Sequence, residues 1–189
     1  MKPTTRVSLV LGAVLAGTAA FLLAATCADI DKFYWIDNRI ATGGQPKPGE
    51  IASLKKEGFR TIINLREQSE YDEAAEAAEA RRLGLRYLSI PFRTADPKEG
   101  PVDAFLAAMR DRKLWPAFVH CGTGNRVAAL WMIHRVVVDG WELGDAEHEA
   151  RLLGLKSANL REFAREYICR HPKAEQRPVP CANRSTGTD

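Results

Sequence analysis

Residues 117–138 constrain this chain more tightly than any other stretch. A short apolar run, Ala117 to Val119, ends at His120-Cys121. Gly122 and Gly124 follow, then Arg126, then a helical pattern from Val127 to Val138. Strand, tight glycine loop and helix N-terminus in that order aim backbone N–H groups and a helix dipole at one point, and such a point binds anions. A thiol at its mouth loses its proton readily, because the thiolate is itself the anion being stabilised; cysteine pKa values there fall to roughly 3.5–7.5. Arg126 adds a permanent charge and a flat fork suited to a bidentate oxyanion. Cys121 is therefore a candidate nucleophile. Gly122, Thr123, Gly124, Asn125 and Arg126 are a candidate oxyanion cradle. A cysteine at a strand end can also be core filling, but core filling requires neither the glycines nor the arginine.

The rest of the chain alternates. Phe33 to Ala41 contains a short apolar and β-branched stretch that ends in the turn Thr42-Gly43-Gly44-Gln45-Pro46. A helix is predicted from Pro48 and Glu50 to about Glu57, stopped by Gly58. Thr61 to Leu65 reads as a buried strand, Tyr71 to Leu83 as a helix, Leu85 to Ile90 as a strand, and Val102 to about Arg112 as a helix. Residues 117–120 form the next strand, and helices are predicted over about 126–139, 144–154 and 159–170. Strands alternating with helices imply parallel strands joined by crossovers, hence an α/β domain with a mainly parallel central sheet flanked by helices. Ligands of such folds collect at the carboxyl ends of the strands. Gln45, Arg66, Arg93 and Asp96 can therefore approach Cys121 from distant sequence.

Bulk properties exclude several classes of partner. The chain of 189 residues carries 27 Lys and Arg against 24 Asp and Glu. Lys2 and Arg6 precede an uncharged run from Val7 to Ala28, so the remainder is almost neutral and offers no field for nucleic acid. A basic start followed by an apolar run is an export signal, and this one approaches the roughly 20 residues that span a bilayer. Residues 1–28 are thus either a signal peptide or a membrane anchor, and Ala24-Ala25-Thr26-Cys27 resembles a lipoprotein signal apart from Thr26. The domain, residues 29–170, is expected to be exported, periplasmic or membrane-tethered facing the periplasm. Residues 171–189 are expected to form a Pro-rich flexible tail. Export permits disulfides. Cys169 and Cys181 can pair across that tail, leaving Cys121 free; alternatively Cys169 simply belongs to the apolar face of the last helix. No Cys/His spacing resembles a metal site, and no cofactor is expected.

Four blocks, Thr42 to Pro46, Thr61 to Arg66, Leu85 to Pro91 and His120 to Arg126, resemble bacterial dual-specificity and tyrosine phosphatase-like proteins. They look most like the phosphatase-like domains fused to NAD kinases or found beside β-lactamase-fold hydrolases. The resemblance covers roughly residues 33–165. It implies a cysteine-dependent phosphatase acting on a phosphorylated protein or small molecule: Cys121 attacks phosphorus, and Arg126 with the amides of residues 122–126 holds the phosphoryl oxygens. His120 orients the loop, or merely satisfies backbone groups at the strand end. Asp96, with Glu99 as substitute, protonates the leaving oxygen, while Asp103 caps or charges the start of its helix. Arg66 and Arg93 enlarge the positive field, or Arg66 pairs with Glu67 or Glu70.

Two departures open alternatives. Cys121 and Arg126 are separated by four residues rather than the five usual in this class, and Val127 stands where Ser or Thr is usual. The shorter loop is similar to that of rhodaneses, which carry sulfur as a cysteine persulfide. A sulfurtransferase, or an oxyanion-binding module without catalysis, therefore stands beside the phosphatase.

Overall fold

The computed structural model describes residues 29–172. The expected signal or anchor segment, Cys181 and residues 173–189 of the expected tail lie outside the described residues. In chain order the elements are β1 (Tyr34–Trp35), β2 (Ile40–Gly43), α1 (Glu50–Lys56), β3 (Thr61–Asn64), α2 (Glu73–Arg82) and β4 (Arg86–Ser89). Then follow α3 (Glu99–Arg110), β5 (Ala117–His120), α4 (Asn125–His134), α5 (Leu143–Leu153) and α6 (Ala158–Arg170). A 3₁₀ turn, Gln68–Glu70, precedes α2, and α4 runs on into a π-helical turn, Arg135–Asp139.

The five strands lie in the order β1-β2-β5-β3-β4. β2, β5, β3 and β4 are mutually parallel, and β1 alone pairs antiparallel. The mainly parallel α/β sheet expected from the alternation is therefore present. β5 is its centre, buried along its whole length, which is why it reads as an unbroken apolar run. Side-chain alternation divides it. Ala117 and Val119 face the core built with α3, α4, α5 and α6. Phe118 faces the smaller core, where Ile51 and Leu54 of α1 and Ala80 of α2 meet Ala41 and Ile62.

Several boundaries differ from the sequence reading, among them β2, which runs through Thr42 and Gly43 of the expected turn, and three others have a local cause. The stretch 33–41 is two strands, because the Asp37 carboxylate accepts the amides of Arg39 at 2.7 Å and Ile40 at 2.9 Å and turns the chain between them. α3 begins at Glu99 rather than Val102, since Pro101 falls in the first turn, where a missing N–H costs nothing. The helix expected over 126–139 loses its α geometry at Arg135. Asp103, expected at a helix start, consequently lies inside α3 and accepts from the Tyr167 hydroxyl at 2.7 Å.

Candidate active site

The carboxyl end of β5 passes into the loop and so into α4. Hydrogen bonds from neighbouring strand ends hold this passage on both sides: Cys121 N donates to Gly43 O at 3.3 Å, and Leu65 N donates to His120 O at 2.9 Å. Gln45 N donates to Gly122 O at 3.3 Å. Gly44 lies so close that a Cβ there would meet Asp31 O at 3.0 Å and Gly122 O at 3.2 Å. Gly124 has φ +84°, and a Cβ on it would stand 2.8 Å from Leu153 O, so both its conformation and its neighbour require glycine. Asn125 Oδ1 accepts the amides of Lys156 at 2.9 Å and Ser157 at 3.2 Å, which ties the loop to the corner between α5 and α6. Among the described residues, the amides of Gly122, Thr123, Asn125 and Arg126 donate to no protein acceptor. Together with the start of α4 they are the free donors that an anion site requires.

Cys121 is 1% exposed and packs with the larger core. Its side chain is a neighbour of Arg126. Burial alone would lower the guanidinium pKa, but its bonds to Glu70 and the neighbouring Cys121 outweigh burial and raise it. Arg126 also lines a cavity of about 440 Å³ with Glu67, Glu70, Arg93, Thr94 and Ala95. The guanidinium thus lies between the neighbouring thiol and the open cavity.

Glu70 grips that guanidinium with both carboxylate oxygens, at 2.5 and 2.7 Å. The bonds from Arg126 hold the Glu70 carboxyl down at about 2. A chain of polar contacts continues inward. Arg66 donates to Glu70 O at 2.6 Å and to Gln45 Oε1 at 2.7 Å. Gln45 donates to Glu76 Oε2 at 2.8 Å. Glu76 Oε1 lies 2.8 Å from His120 Nε2, a close contact that is not aligned as a hydrogen bond. Burial would raise the Glu76 pKa, but His120, Gln45 and Arg66 together lower it. His120 itself is fully buried and stacks on Phe118, with ring centroids 5.8 Å apart.

The structure brings Gln45, Arg66, Arg126, His120 and Cys121 into one connected arrangement. Arg66 pairs with Glu70, as one sequence reading had it. Arg93 lines the cavity and is bonded to Glu67 at 2.7 Å. Asp96 follows the lining residue Ala95, but its side chain is exposed and lies 2.7 Å from Lys98 Nζ. Glu99 is tied to Arg170 at 2.6 Å. Cys169 is disulfide-bonded. No group of His, Cys, Asp or Glu among the described residues could hold a metal ion, and no described helix is long and apolar enough to cross a membrane.

Glu70 and Glu76 are the residues that the sequence reading did not place in the site. Glu70 sits three residues after Glu67, and the two carboxylates form a reciprocal capping box around the 3₁₀ turn. That spacing was a signal for a fixed turn just beyond β3. Glu76 offered none, since one carboxylate in an Ala/Glu helix looks like any solvated one.

A thiol at the end of a central parallel strand, an arginine on the first turn of the next helix and free loop amides define a cysteine-phosphatase-like α/β domain. The chain belongs to the family described as the dual-specificity (DSP-PTPase) phosphatase fused to NAD+ kinase, whose model matches residues 29–166. A beta-lactamase hydrolase-like protein of Xylella fastidiosa is 34% identical over 106 residues, covering 54% of this chain and 24% of that protein. The chain thus spans about a quarter of the length of this relative. Among solved structures, a DUF442 protein of Shewanella putrefaciens, described as a candidate phosphatase, superposes with a TM-score of 0.65 at 22% identity, over 77% of this chain and 96% of its own. The core catalytic domain of a PP-IP phosphatase of S. cerevisiae, in complex with citrate, gives 0.63 at 17% identity, over 71% and 84%. These two structures share the fold.

Proposed function

We propose that the domain hydrolyses phosphate monoesters through a phosphocysteine. The observation that carries this reading is the placement of Arg126 at the head of α4, beside Cys121 and among loop amides that have no protein acceptor. The sulfur forms a bond to phosphorus as the ester P–O bond breaks, and the leaving oxygen takes a proton from Asp96 on the loop beside the cavity. Water then attacks phosphorus as the S–P bond breaks, gives a proton back to the Asp96 carboxylate and releases inorganic phosphate and the Cys121 thiolate that began the cycle. Arg126 and the amides stabilise the equatorial oxygens in both steps. With Cys121 buried, the reaction requires the guanidinium and loop to part around the arriving phosphoryl group. The test is hydrolysis of an aryl phosphate by the purified protein between pH 5 and 8. Cys121→Ser is expected to abolish turnover with an unchanged circular dichroism spectrum. Wild-type protein without turnover would overturn the reading.

The four-residue spacing between Cys121 and Arg126 favours a second reading, transfer of sulfur through a Cys121 persulfide. Incubation with thiosulfate followed by intact-protein mass spectrometry separates the two. A gain of one sulfur atom that is lost in Cys121→Ser, with transfer to cyanide, supports the sulfurtransferase. Saturable oxyanion binding with neither activity would leave a binding module.

A further inference from the structure

A second cavity, of about 400 Å³, opens at the opposite end of the sheet from Cys121. It lies beside Ile40, the first residue of β2, and Trp115, two residues before β5. Three of the chain's four tryptophans, Trp115, Trp131 and Trp141, line it together with four arginines, Arg39, Arg110, Arg112 and Arg135. Met109, Trp131 and His134 are buried and make an apolar floor. The arginines and indoles interleave: Arg39 stacks 4.5 Å over Trp115, and Arg135 stacks 5.2 Å over Trp131 and 4.3 Å over Trp141. Stacking fixes a guanidinium by its face and leaves its N–H edge free to donate.

Charge in the cavity is unbalanced. Only two carboxylates, Asp37 and Asp139, share the lining with four guanidinium groups. Asp37 is taken by Arg39 at 2.8 Å and Asp139 by Arg135 at 3.0 Å, and Glu149, outside the lining, also holds Arg135 at 2.7 Å. Arg110 and Arg112 have no carboxylate partner among the described residues. His134 adds no charge, because burial lowers its pKa despite Asp139 at 3.4 Å. The ring nitrogens Trp115 Nε1 and Trp131 Nε1 are buried without a hydrogen-bond partner among the described residues, a condition that native interiors seldom tolerate. The π-helical turn Arg135–Asp139 supplies three of the lining residues, and such turns recur at functional sites.

We propose that this cavity is a binding site for a small molecule with an aromatic body and one anionic group, distinct from the Cys121 site. The indoles and Met109 take the ring, and Arg110 and Arg112 take the anion. The volume falls within the roughly 300–1,000 Å³ of ordinary ligand sites. Trp131 and His134 lie on α4, whose first turn carries Arg126, so a ligand here touches the far end of the helix that supports the catalytic loop.

The experiment titrates the full chain with 8-anilinonaphthalene-1-sulfonate and with N-phenyl-1-naphthylamine, which has the same aromatic body without the sulfonate, reading tryptophan quenching. Saturable micromolar binding of the sulfonate, with the neutral compound much weaker, is expected. Arg110→Ala with Arg112→Ala, both exposed positions, should weaken it about tenfold or more. Cys121→Ser saturated with inorganic phosphate should bind as the wild type does. Equal binding of the two compounds, indifference to the arginine variants, displacement by phosphate, or no saturation below millimolar concentration would each overturn the proposal.

Discussion

Glu70 presents both carboxylate oxygens to Arg126, Oε1 accepting from Nη1 at 2.5 Å and Oε2 from Nη2 at 2.7 Å. The pairing fixes the plane of the guanidinium and spends only two of its five N–H groups, leaving the others for Phe92 O at 3.4 Å and for an incoming anion.

Glu70→Gln keeps the shape but turns an amide N–H toward the guanidinium. Losing one charge-assisted bond of about 1.5–3 kcal/mol should slow aryl phosphate turnover roughly ten- to a hundredfold. Steady-state kinetics with unchanged kcat would refute the positioning role.

The same contact carries a pH signature. The Glu70 carboxyl is depressed from 4.5 to about 2, so its contribution to stability is whole above about 4.5 and falls away as the pH drops through about 2. Urea unfolding of wild type and Glu70→Gln from pH 2 to 7 should show a constant gap above pH 5 that closes toward acid. A gap of one size at every pH would assign the difference to packing.

Gly124→Ala places a methyl group 2.8 Å from Leu153 O on a backbone with φ +84°. We expect a loss of about 2 kcal/mol, seen as a fall in melting temperature of about 6 °C, together with loss of activity. An unchanged melting temperature would mean that the α5–α6 corner yields freely.

Glu76→Ala strips Gln45 and His120 of their shared partner in a buried setting and should cost about 3 kcal/mol by chemical denaturation. Gln45→Ala cuts the chain between Glu76 and Arg66 with a smaller penalty. It should lower kcat more than it raises KM, and the reverse split would place Gln45 in substrate binding instead.

Asn159 of α6 donates to Thr94 O at 2.7 Å and to Ala95 O at 3.4 Å, pinning the loop that carries Asp96. Asn159→Ala should lower kcat about tenfold through loss of that alignment, while stability barely moves. Asp96→Asn should lower kcat as well, and the double variant should then add little further. Full additivity would separate the two residues.

The strand and helix framework was legible because each element carries its own period and stop. Ala117 to Val119 is apolar throughout because β5 is covered on both faces, and Gly58 and Gly84 close the helices before them. Cys121, the loop and Arg126 were legible for the same local reason. The Glu70 clamp was not, since 56 residues separate it from Arg126 and an exposed Glu on a turn looks alike whether paired or free. The split of residues 33–41 hinged on Asp37 bonding two amides beyond itself, a turn chemistry that an isolated aspartate in a mixed stretch does not announce. The π-helical turn has no period of its own, and only tertiary packing distinguishes it from a continuing helix.

β5 has a hydrogen-bonded neighbour along each edge, β2 on one side and β3 on the other. The pedestal under the sulfur cannot fray without undoing two ladders at once. Its amides should exchange with solvent only as fast as the whole domain opens, so this domain would lose its site and its shape in a single event rather than fading by degrees.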